Sequence, residues 1–181
     1  MAPRLLEKYR NEIVPAMKAK FGYRSSMAVP RLKKIVINMG IGQGAHDIKI
    51  LEKCMDELAM ITGQKPIMCR AKKAISNFKV RKGLPVGCKV TLRKAMMYEF
   101  FDRLLSVALP RIRDFKGFPH SSFDESANYS LGLSEQTIFA EVEVDKVVRT
   151  QGMDITIVTN SKSKEEVLEL LKFFGFPFRR A

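Results

Sequence analysis

The sequence predicts an α+β fold in which helices pack on one face of a largely antiparallel sheet. Segments with helical spacing of apolar residues alternate irregularly with short period-two segments, in the order α, β, α, β, β, α, loop, β, β, α. Hydrophobic residues make up 46% of the 181 positions, which is enough for a buried core. Neither a repeat nor a linker is visible, so one domain is predicted over residues 1–181, with a protruding basic loop at about 71–83.

The N-terminal third is predicted to form a helix, a strand and a second helix. Apolar residues follow helical spacing through residues 3–20, where Pro15 predicts a kink. Residues 33–38 contain Ile-Val-Ile and are predicted to form a strand. Asp47 is the predicted N-cap of the next helix, which ends at Gly63.

Two strands separated by a basic loop are predicted in the middle of the chain. Residues 65–70 form the first, short strand, and residues 71–83 form the loop. In residues 87–93 apolar and polar residues alternate, which predicts one buried and one exposed face. The predicted exposed face carries Lys89, Thr91 and Arg93.

The last third is predicted to contain a helix, a long loop, two strands and a final helix. Residues 96–109 form a strongly apolar helix that Pro110 stops, and residues 115–136 form the loop. Strands are predicted over residues 138–144 and 154–159. A capping box of Ser163 and Glu166 begins the final helix, which ends at Gly175.

The formal net charge of +13 is distributed unevenly along the chain. Residues 58–98 contain ten lysine and arginine residues without one carboxylate, whereas residues 120–160 carry a net charge of −5. Because carboxylates repel phosphates and neutralise nearby cations, the acid-free segment favours a nucleic-acid partner. The acidic stretch is a candidate surface for a protein partner.

Several other classes of protein are disfavoured by composition. No apolar run approaches the ~20 residues needed to span a bilayer, and the N-terminus does not resemble a signal peptide. Cys54, Cys69 and Cys88 are predicted to be free, mostly buried thiols in a reducing cytosol. His46 and His120 lack the spacing of metal ligands, and no nucleophile–base pair is visible. We therefore predict a protein without metal, cofactor or catalytic activity.

A glycine-rich segment leaves one enzymatic alternative open. Residues 40–45, Gly-Ile-Gly-Gln-Gly-Ala, follow a predicted strand and precede a helix, as in a dinucleotide-binding turn. The acidic residue expected about 20 positions later is missing, although Arg70 would suit the 2′-phosphate of NADP. A glycine turn close to an RNA backbone is favoured over this NADP site. Membrane-surface binding is disfavoured because no basic amphipathic helix stands out.

The basic loop combines cations with exposed apolar residues. Ile75 and Phe78 are costly to leave in water unless they contact a partner. We therefore interpret the loop as a finger that reaches a nucleic-acid backbone rather than as a solvated connection. Its five cations are Lys72, Lys73, Lys79, Arg81 and Lys82.

A series of ordered motifs resembles one known family from end to end. These motifs are INMGIG at residues 37–42, TGQKP at 62–66, AKK at 71–73, GCKVTLR at 87–93, PRIRDF at 110–115, NYSLG at 128–132, DITI at 154–157 and FPFR at 176–179. Together they resemble the bacterial large-subunit ribosomal protein five family, whose members bind 5S rRNA in the central protuberance. The resemblance implies an RRM-like or ferredoxin-like sheet backed by helices.

The resemblance also implies partners and site residues. It implies binding to 5S rRNA, attachment of that RNA to the rRNA of the large subunit, and contact with the P-site tRNA. The implied rRNA surface includes Asn38, Met39, Gly40, Gly42, Gln64, Lys65, Thr91 and Arg93. The polar strand faces predicted from the spacing add Lys34 and Lys89 to this surface. The implied tRNA contact comprises Lys72, Lys73, Ser76, Asn77, Phe78, Lys79, Arg81 and Lys82.

A contact with a small-subunit head protein is the last implied partnership, and it would form a bridge between the subunits. Residues 111–116, which are basic, are one candidate for this contact. Residues 135–145, which are acidic and would suit a basic partner, are the other. The spacing of residues does not distinguish the two candidates. The family also implies a cytoplasmic location, on the ribosome.

Overall fold

The computed structural model describes residues 2–42, 48–143, 147 and 149–179, and the backbone groups into two compact units. Unit 1 comprises residues 1–35, 93–131 and 156–181, and unit 2 comprises residues 36–92 and 132–155. The organisation as one domain stays a prediction.

The described strands form one five-stranded antiparallel sheet, which confirms the predicted α+β class. The order across the sheet is β2-β3-β1-β5-β4. The strands are β1 (Leu32–Gly40), β2 (Ile67–Arg70), β3 (Pro85–Leu92), β4 (Tyr129–Leu133) and β5 (Met153–Thr159). The predicted alternation in β3 is confirmed, since its buried face contains Cys88, Val90 and Leu92.

The N-terminal helix changes its winding just before Pro15. The segments α1 (Arg4–Lys8) and α2 (Val14–Phe21) are joined by a π-helical turn over Tyr9–Ile13. Proline has no N–H to donate to the carbonyl four residues earlier, so a wider turn relieves the clash at that point. A π-helical turn thus precedes Pro15, where the sequence predicted a kink, and α2 ends at Gly22, whose φ is +69°.

A second proline, Pro110, follows the end of the apolar helix, as predicted, apart from a short 3₁₀ turn that reaches one residue beyond it. The segment α4 (Lys94–Arg103) continues through a π-helical turn, Leu104–Ala108, into a 3₁₀ turn, Leu109–Arg111. Pro110 lies in the first positions of that 3₁₀ turn, where a missing N–H costs no hydrogen bond.

One strand lies earlier in the chain than the sequence predicted. The predicted loop 115–136 contains all of β4, whose residues alternate between buried and exposed. The predicted strand over residues 138–144 is wrong for its described part, since a 3₁₀ turn, Gln136–Ile138, is followed by a turn between Phe139 and Val142. Val144 lies outside the described residues. Phe139 and Val142 are both buried, so the buried apolar residues are three positions apart here and not two, as they would be in a strand.

The remaining helices end at the predicted glycines. Helix α3 (Ile48–Thr62) ends before Gly63, while its predicted N-cap, Asp47, lies outside the described residues. Helix α5 (Lys164–Phe174) begins as predicted, because Ser163 Oγ accepts a hydrogen bond from the Glu166 backbone N–H at 3.5 Å. The Glu166 carboxylate, however, accepts from Ser161 Oγ at 2.5 Å.

Eight of the sixteen phenylalanine and tyrosine side chains are buried in the core. In unit 1, Phe101 packs edge-on against Phe174 with ring centroids 5.5 Å apart, and Phe118 stacks on Phe176 at 5.3 Å. Tyr129 closes this cluster, since it is fully buried and its hydroxyl donates to Pro119 O at 2.8 Å. These rings are therefore unavailable for stacking on bases.

Candidate nucleic-acid interface

The strands of unit 2 have one buried face and one outer face. On β1, β2 and β3 the outer face includes Asn38, Gly40, Ile67, Cys69, Lys89 and Thr91, and the exposed Asp154 of β5, the strand next to β1, lies on the same side of the sheet. Lys89 is paired directly with Ile67 of β2, so the two side chains lie side by side. Ile67 is 65% exposed, which is unusual for a large apolar side chain in a strand. The face therefore offers a cation, an amide, a hydroxyl and an apolar surface, and its six described residues on β1, β2 and β3 include no carboxylate.

The backbones of β1 and β3 come unusually close at one end of this face. The Ile41 N–H donates to Val86 O at 2.9 Å, which continues the strand pairing beyond Gly40. A Cβ at Gly87 would overlap the carbonyl oxygen of Met39. Only glycine fits there, and this close approach sets the distance between the two strands that carry Asn38 and Lys89.

The turn after α3 brings the amide of Gln64 to the edge of the outer face. Thr62 is fully buried, and its Oγ1 donates to Leu58 O at 2.7 Å while accepting from the Gln64 N–H at 3.3 Å. Gln64 Nε2 makes a long hydrogen bond of 3.4 Å to Thr91 O, and Lys65 beside it is exposed. Gln64 and Thr91, two of the predicted rRNA-binding residues, are thus brought together.

A buried polar network supports the Gly40 end of the outer face. Gln136 has no exposed surface, and its Nε2 donates to Glu57 Oε2 at 3.2 Å and to Arg149 O at 2.7 Å. Its Oε1 accepts from the Gln151 N–H at 2.6 Å. Gln151 Nε2 in turn donates to Gly40 O at 3.0 Å. These connected hydrogen bonds hold the end of β1 in place.

The Glu57 carboxyl in this network gives stability a dependence on pH. Burial raises its pKa, and the hydrogen bond from Gln136 and the charge of Lys53 offset this only in part. Because the folded-state pKa lies above the unfolded value, the protonated carboxyl favours the folded state. This contribution to stability is complete below the unfolded pKa and is lost as pH rises through the folded pKa.

We therefore expect Glu57→Gln to gain stability relative to the unmodified chain as pH rises from about 4 to about 7. The amide keeps an acceptor for Gln136 but carries no charge to bury, so its stability relative to the unmodified chain should rise over this range of pH. Urea unfolding at both pH values measures it. Glu52→Gln, at an exposed position of α3, controls for the loss of one charge. A relative stability that falls with pH would contradict the prediction.

The basic loop, residues 71–83, forms a hairpin-like structure that we call the basic arm. At its base, Ala71 N–H donates to Leu84 O at 2.8 Å and Gly83 N–H donates to Ala71 O at 2.9 Å. Further out, Ile75 and Val80 exchange backbone hydrogen bonds of 2.9 and 3.1 Å. The arm thus has an ordered backbone held at two levels.

The side chains of the basic arm point almost entirely into solvent. Phe78 is 71% exposed, and Ile75 is 47% exposed. The arm's other predicted tRNA-binding residues, which are Lys72, Lys73, Ser76, Asn77, Lys79, Arg81 and Lys82, are all exposed as well. The structure therefore places the aromatic ring of Phe78 and the five cations together on one short hairpin.

Four predicted rRNA-binding residues require separate comment. The Met39 side chain is fully buried in the core, so only its backbone is available to a ligand. Lys34 and Arg93 belong to unit 1, where Lys34 is half-buried on β1 and Arg93 is exposed before α4. Gly42, by contrast, is exposed and has open space around its Cα.

Sequence reasoning missed three residues that shape the site. Gly87 has no predicted role because its effect depends on the neighbouring strand. Gln136 and Gln151 act through contacts over long sequence distances, and polar residues in a predicted loop give no signal of burial.

The glycine segment does not build a dinucleotide site. Dinucleotide folds use a parallel sheet, whereas this sheet is antiparallel, and the described fold therefore contradicts the NADP alternative. Arg70, the candidate for a 2′-phosphate, donates from its guanidinium to Gly83 O at 3.0 Å at the base of the arm. Residues 43–45 of the segment lie outside the described part of the chain.

The three cysteines are free, as predicted, with Cys54 and Cys88 buried. Burial raises the pKa of the Cys88 thiol to about 12, so it remains protonated at neutral pH. Within the described ranges, no group of three or more His, Cys, Asp or Glu side chains is placed to hold a metal ion. Among the same residues, no helix has the length and apolarity to cross a bilayer.

Comparison with known proteins gives consistent similarities over nearly the whole chain. The family model of ribosomal protein L5 matches residues 25–81, and that of the ribosomal L5P family C-terminus matches residues 85–178. The chain is 56% identical over 178 residues to the large ribosomal subunit protein uL5 of Clostridium tetani, covering 98% of this chain and 99% of that protein. It is 54% identical over 178 residues to the protein of the same name from Clostridium acetobutylicum, with the same coverage.

Proposed function

This chain belongs to the ribosomal protein L5 family, and from this premise we propose that it binds 5S rRNA through the outer face and helps to attach that RNA in the central protuberance. It is a structural, non-enzymatic constituent of the large ribosomal subunit and is located on the ribosome in the cytoplasm. Its partners beyond rRNA are a matter of proposal.

The outer face carries the proposal of 5S rRNA binding. Lys89 supplies charge, while Asn38, Gln64 and Thr91 supply hydrogen-bond partners for phosphates and 2′-hydroxyl groups. Exposed glycine backbone at Gly40 and Gly42 lets an RNA backbone come close without meeting a side chain. The six described residues on β1, β2 and β3 include no carboxylate to repel a phosphate, and the nearest strand carboxylate on this side is Asp154 of β5.

The basic arm supports a second proposed contact, with the P-site tRNA. Its five exposed cations suit phosphate oxygens, and the exposed Phe78 ring suits a nucleobase or a ribose. Because the arm is ordered by its own hydrogen bonds, it does not depend on the RNA for its conformation. We assign the outer face to rRNA, together with Lys34 and Arg93 of unit 1, and the arm to tRNA.

A bridge to a small-subunit head protein is the third proposed contact. Its two candidate segments stay those of the sequence, residues 111–116 and residues 135–145. In unit 1, Arg111 and Arg113 of the first segment are exposed. In unit 2, Glu135 and Glu143 of the second segment are exposed and would attract a basic partner.

We expect the chain to bind 5S rRNA specifically and to lose this binding when the outer face is changed. Asn38→Ala, Gln64→Ala and Thr91→Val each remove a hydrogen-bonding side chain, and each should weaken binding by roughly tenfold. The measurement is a filter-binding titration with 5S rRNA at fixed salt. An unrelated RNA of equal length measures non-specific binding.

Ser130→Ala provides a matched control for these variants. Ser130 is an exposed strand residue of unit 1, and its hydroxyl contacts Thr156 Oγ1 at 3.1 Å. Its removal should leave 5S binding unchanged. If the unmodified chain binds 5S rRNA no better than the unrelated RNA, the proposed function is wrong.

A further inference from the structure

A pocket in unit 2 lies between helix α3 and the turn that contains Val142. Its volume is about 390 Å³, a size typical of small-molecule sites. The α3 wall consists of residues three or four positions apart, which share one side of the helix. None of the lining residues belongs to the outer face or to the basic arm, so the proposed RNA contacts do not use the pocket. The described lining residues are Lys53, Asp56, Glu57, Met60, Val142 and Glu143.

The Glu57 carboxylate is the buried polar group of this pocket. Glu57 is 9% exposed, and its Oε2 accepts the hydrogen bond from Gln136 Nε2 at 3.2 Å. The other carboxylate oxygen, Oε1, accepts no hydrogen bond from the described residues. Buried polar groups in proteins generally have their partners, and a carboxylate oxygen requires a donor. The pocket therefore has a place for the N–H or O–H of a ligand beside Oε1.

The charges around the pocket favour a cation as that ligand. The described lining has three carboxylates, those of Asp56, Glu57 and Glu143, against the one ammonium group of Lys53. Asp56 and Glu143 are exposed, so they lie towards solvent, whereas Glu57 is buried. Burial raises the pKa of the Glu57 carboxyl, and the charge of Lys53 offsets this only in part. A cation in the pocket would supply the countercharge that Glu57 lacks.

The apolar part of the lining distinguishes between kinds of cation. Met60 is 52% exposed, which is high for a large apolar side chain, and Val142 lines the opposite wall. Methylene groups of a ligand would remove this surface from water, whereas a hydrated metal ion would not. Within the described ranges, no group of three or more His, Cys, Asp or Glu side chains is placed to hold a metal ion. The lining therefore suits an organic cation with an aliphatic chain.

We infer that this pocket binds an aliphatic diamine or polyamine. One ammonium group donates to Glu57 Oε1, and a second ammonium group lies at the exposed side of the pocket, near Asp56 or Glu143. The methylene groups between them pack against Met60 and Val142. Hydrogen bonds between an ammonium group and a carboxylate are among the strong ones, and they orient the ligand in the pocket. The inference involves no RNA, so it stands apart from the proposed function.

Isothermal titration calorimetry of the full chain without RNA tests this inference, with 1,4-diaminobutane as the probe. Mg²⁺ has the same charge but no methylene groups, and n-butylamine has the same chain length but one ammonium group. The diamine should bind roughly tenfold more tightly than either of them, because only the diamine uses both the apolar wall and the two acidic ends. It should also raise the temperature of thermal unfolding, because it binds the folded chain.

Variants of α3 locate the site. Glu57→Gln should weaken binding of the diamine by roughly tenfold, since it removes the charge at the buried end. Met60→Gln should weaken it by about threefold, since a side chain of similar length becomes polar at an exposed position. Glu52→Gln, at an exposed position of α3 outside the pocket, is the matched control and should leave the affinity unchanged. Urea unfolding of each variant shows that the fold is retained.

Three results would overturn the inference. Equal affinity for Mg²⁺ and the diamine would show only a general attraction of cations to carboxylates. Equal affinity for n-butylamine would indicate a ligand with one ammonium group, such as a lysine of a partner protein. Binding that Glu52→Gln weakens as much as Glu57→Gln does would place the ligand outside the pocket. The 5S titration is a separate measurement, so none of these results bears on the proposed function.

Discussion

Gly87→Ala is expected to lower the free energy of unfolding by about 2 kcal/mol and to abolish specific binding of 5S rRNA. The added Cβ would overlap the carbonyl oxygen of Met39, and it would lie 3.4 Å from the carbonyl carbon of the same residue. Both atoms are backbone, so no side-chain rotation relieves the overlap. Strand β1 must move away from β3, and this separates Asn38 from Lys89 and Thr91.

Two other glycines of unit 2 provide controls for this substitution. Gly40→Ala places a Cβ in open space with an ordinary φ, so stability should be maintained or rise slightly. Its binding of 5S rRNA should nevertheless fall if the RNA backbone lies against Gly40. Gly132→Ala meets only Asp154 Oδ1, at 3.6 Å, and should leave both quantities unchanged.

Thermal or urea unfolding and the 5S filter-binding titration measure the two quantities for all three variants. Gly87→Ala must differ from Gly40→Ala in stability, because only the former requires the strands to separate. A Gly87→Ala protein as stable as the unmodified chain would show that the close approach of β1 and β3 does not constrain the sheet. Normal 5S binding by that variant would remove the outer face from the proposed function.

Sequence reasoning succeeded where one local pattern was enough to determine structure. In β3, alternation alone identified the buried face, because a strand has only two sides and one of them was wholly apolar. Helix ends at Gly63 and Gly175 were found for the same reason, since each adopts a left-handed φ that other residues avoid.

It failed where two local patterns competed and the core decided between them. Residues 129–133 contain a serine and a glycine, which suggested a loop, although Tyr129, Leu131 and Leu133 are buried on one side of β4. Residues 138–144 showed the better strand pattern, but their described part forms a turn. Propensity is a weak prior when tertiary packing offers a better burial of the same apolar residues.

The site was predictable in composition but not in its internal distances. Charge counting located the basic arm and much of the outer face within one acid-free segment, since it needs no knowledge of neighbours. Gly87 and Gln151 were not predicted, because the importance of each depends on the backbone that lies opposite it. That backbone is Met39 for Gly87 and Gly40 for Gln151. Such contacts follow from strand register, which one sequence does not specify.

Neutralising the basic arm is expected to reduce affinity for P-site tRNA by about two orders of magnitude at low salt. The variant carries glutamine in place of all five arm cations, Lys72, Lys73, Lys79, Arg81 and Lys82. Removing one cation from a phosphate lowers the dependence of log affinity on log salt by about 0.9, so the slope should fall by up to about 4.5 when all five cations are removed. The fold should survive, because these side chains are exposed and the arm is held by backbone hydrogen bonds.

Phe78→Ala separates the role of the ring from that of the charges. It should weaken tRNA binding by about 1 to 3 kcal/mol while leaving the salt slope unchanged, since stacking on a base involves no counterions. Large subunits reconstituted with each variant, titrated with tRNA at several salt concentrations, provide the measurement. Both variants should bind 5S rRNA normally. The partner of each surface is the RNA whose binding is lost when that surface is changed. If the variant with the neutralised arm no longer binds 5S rRNA but still binds tRNA, the roles of the arm and the outer face are reversed.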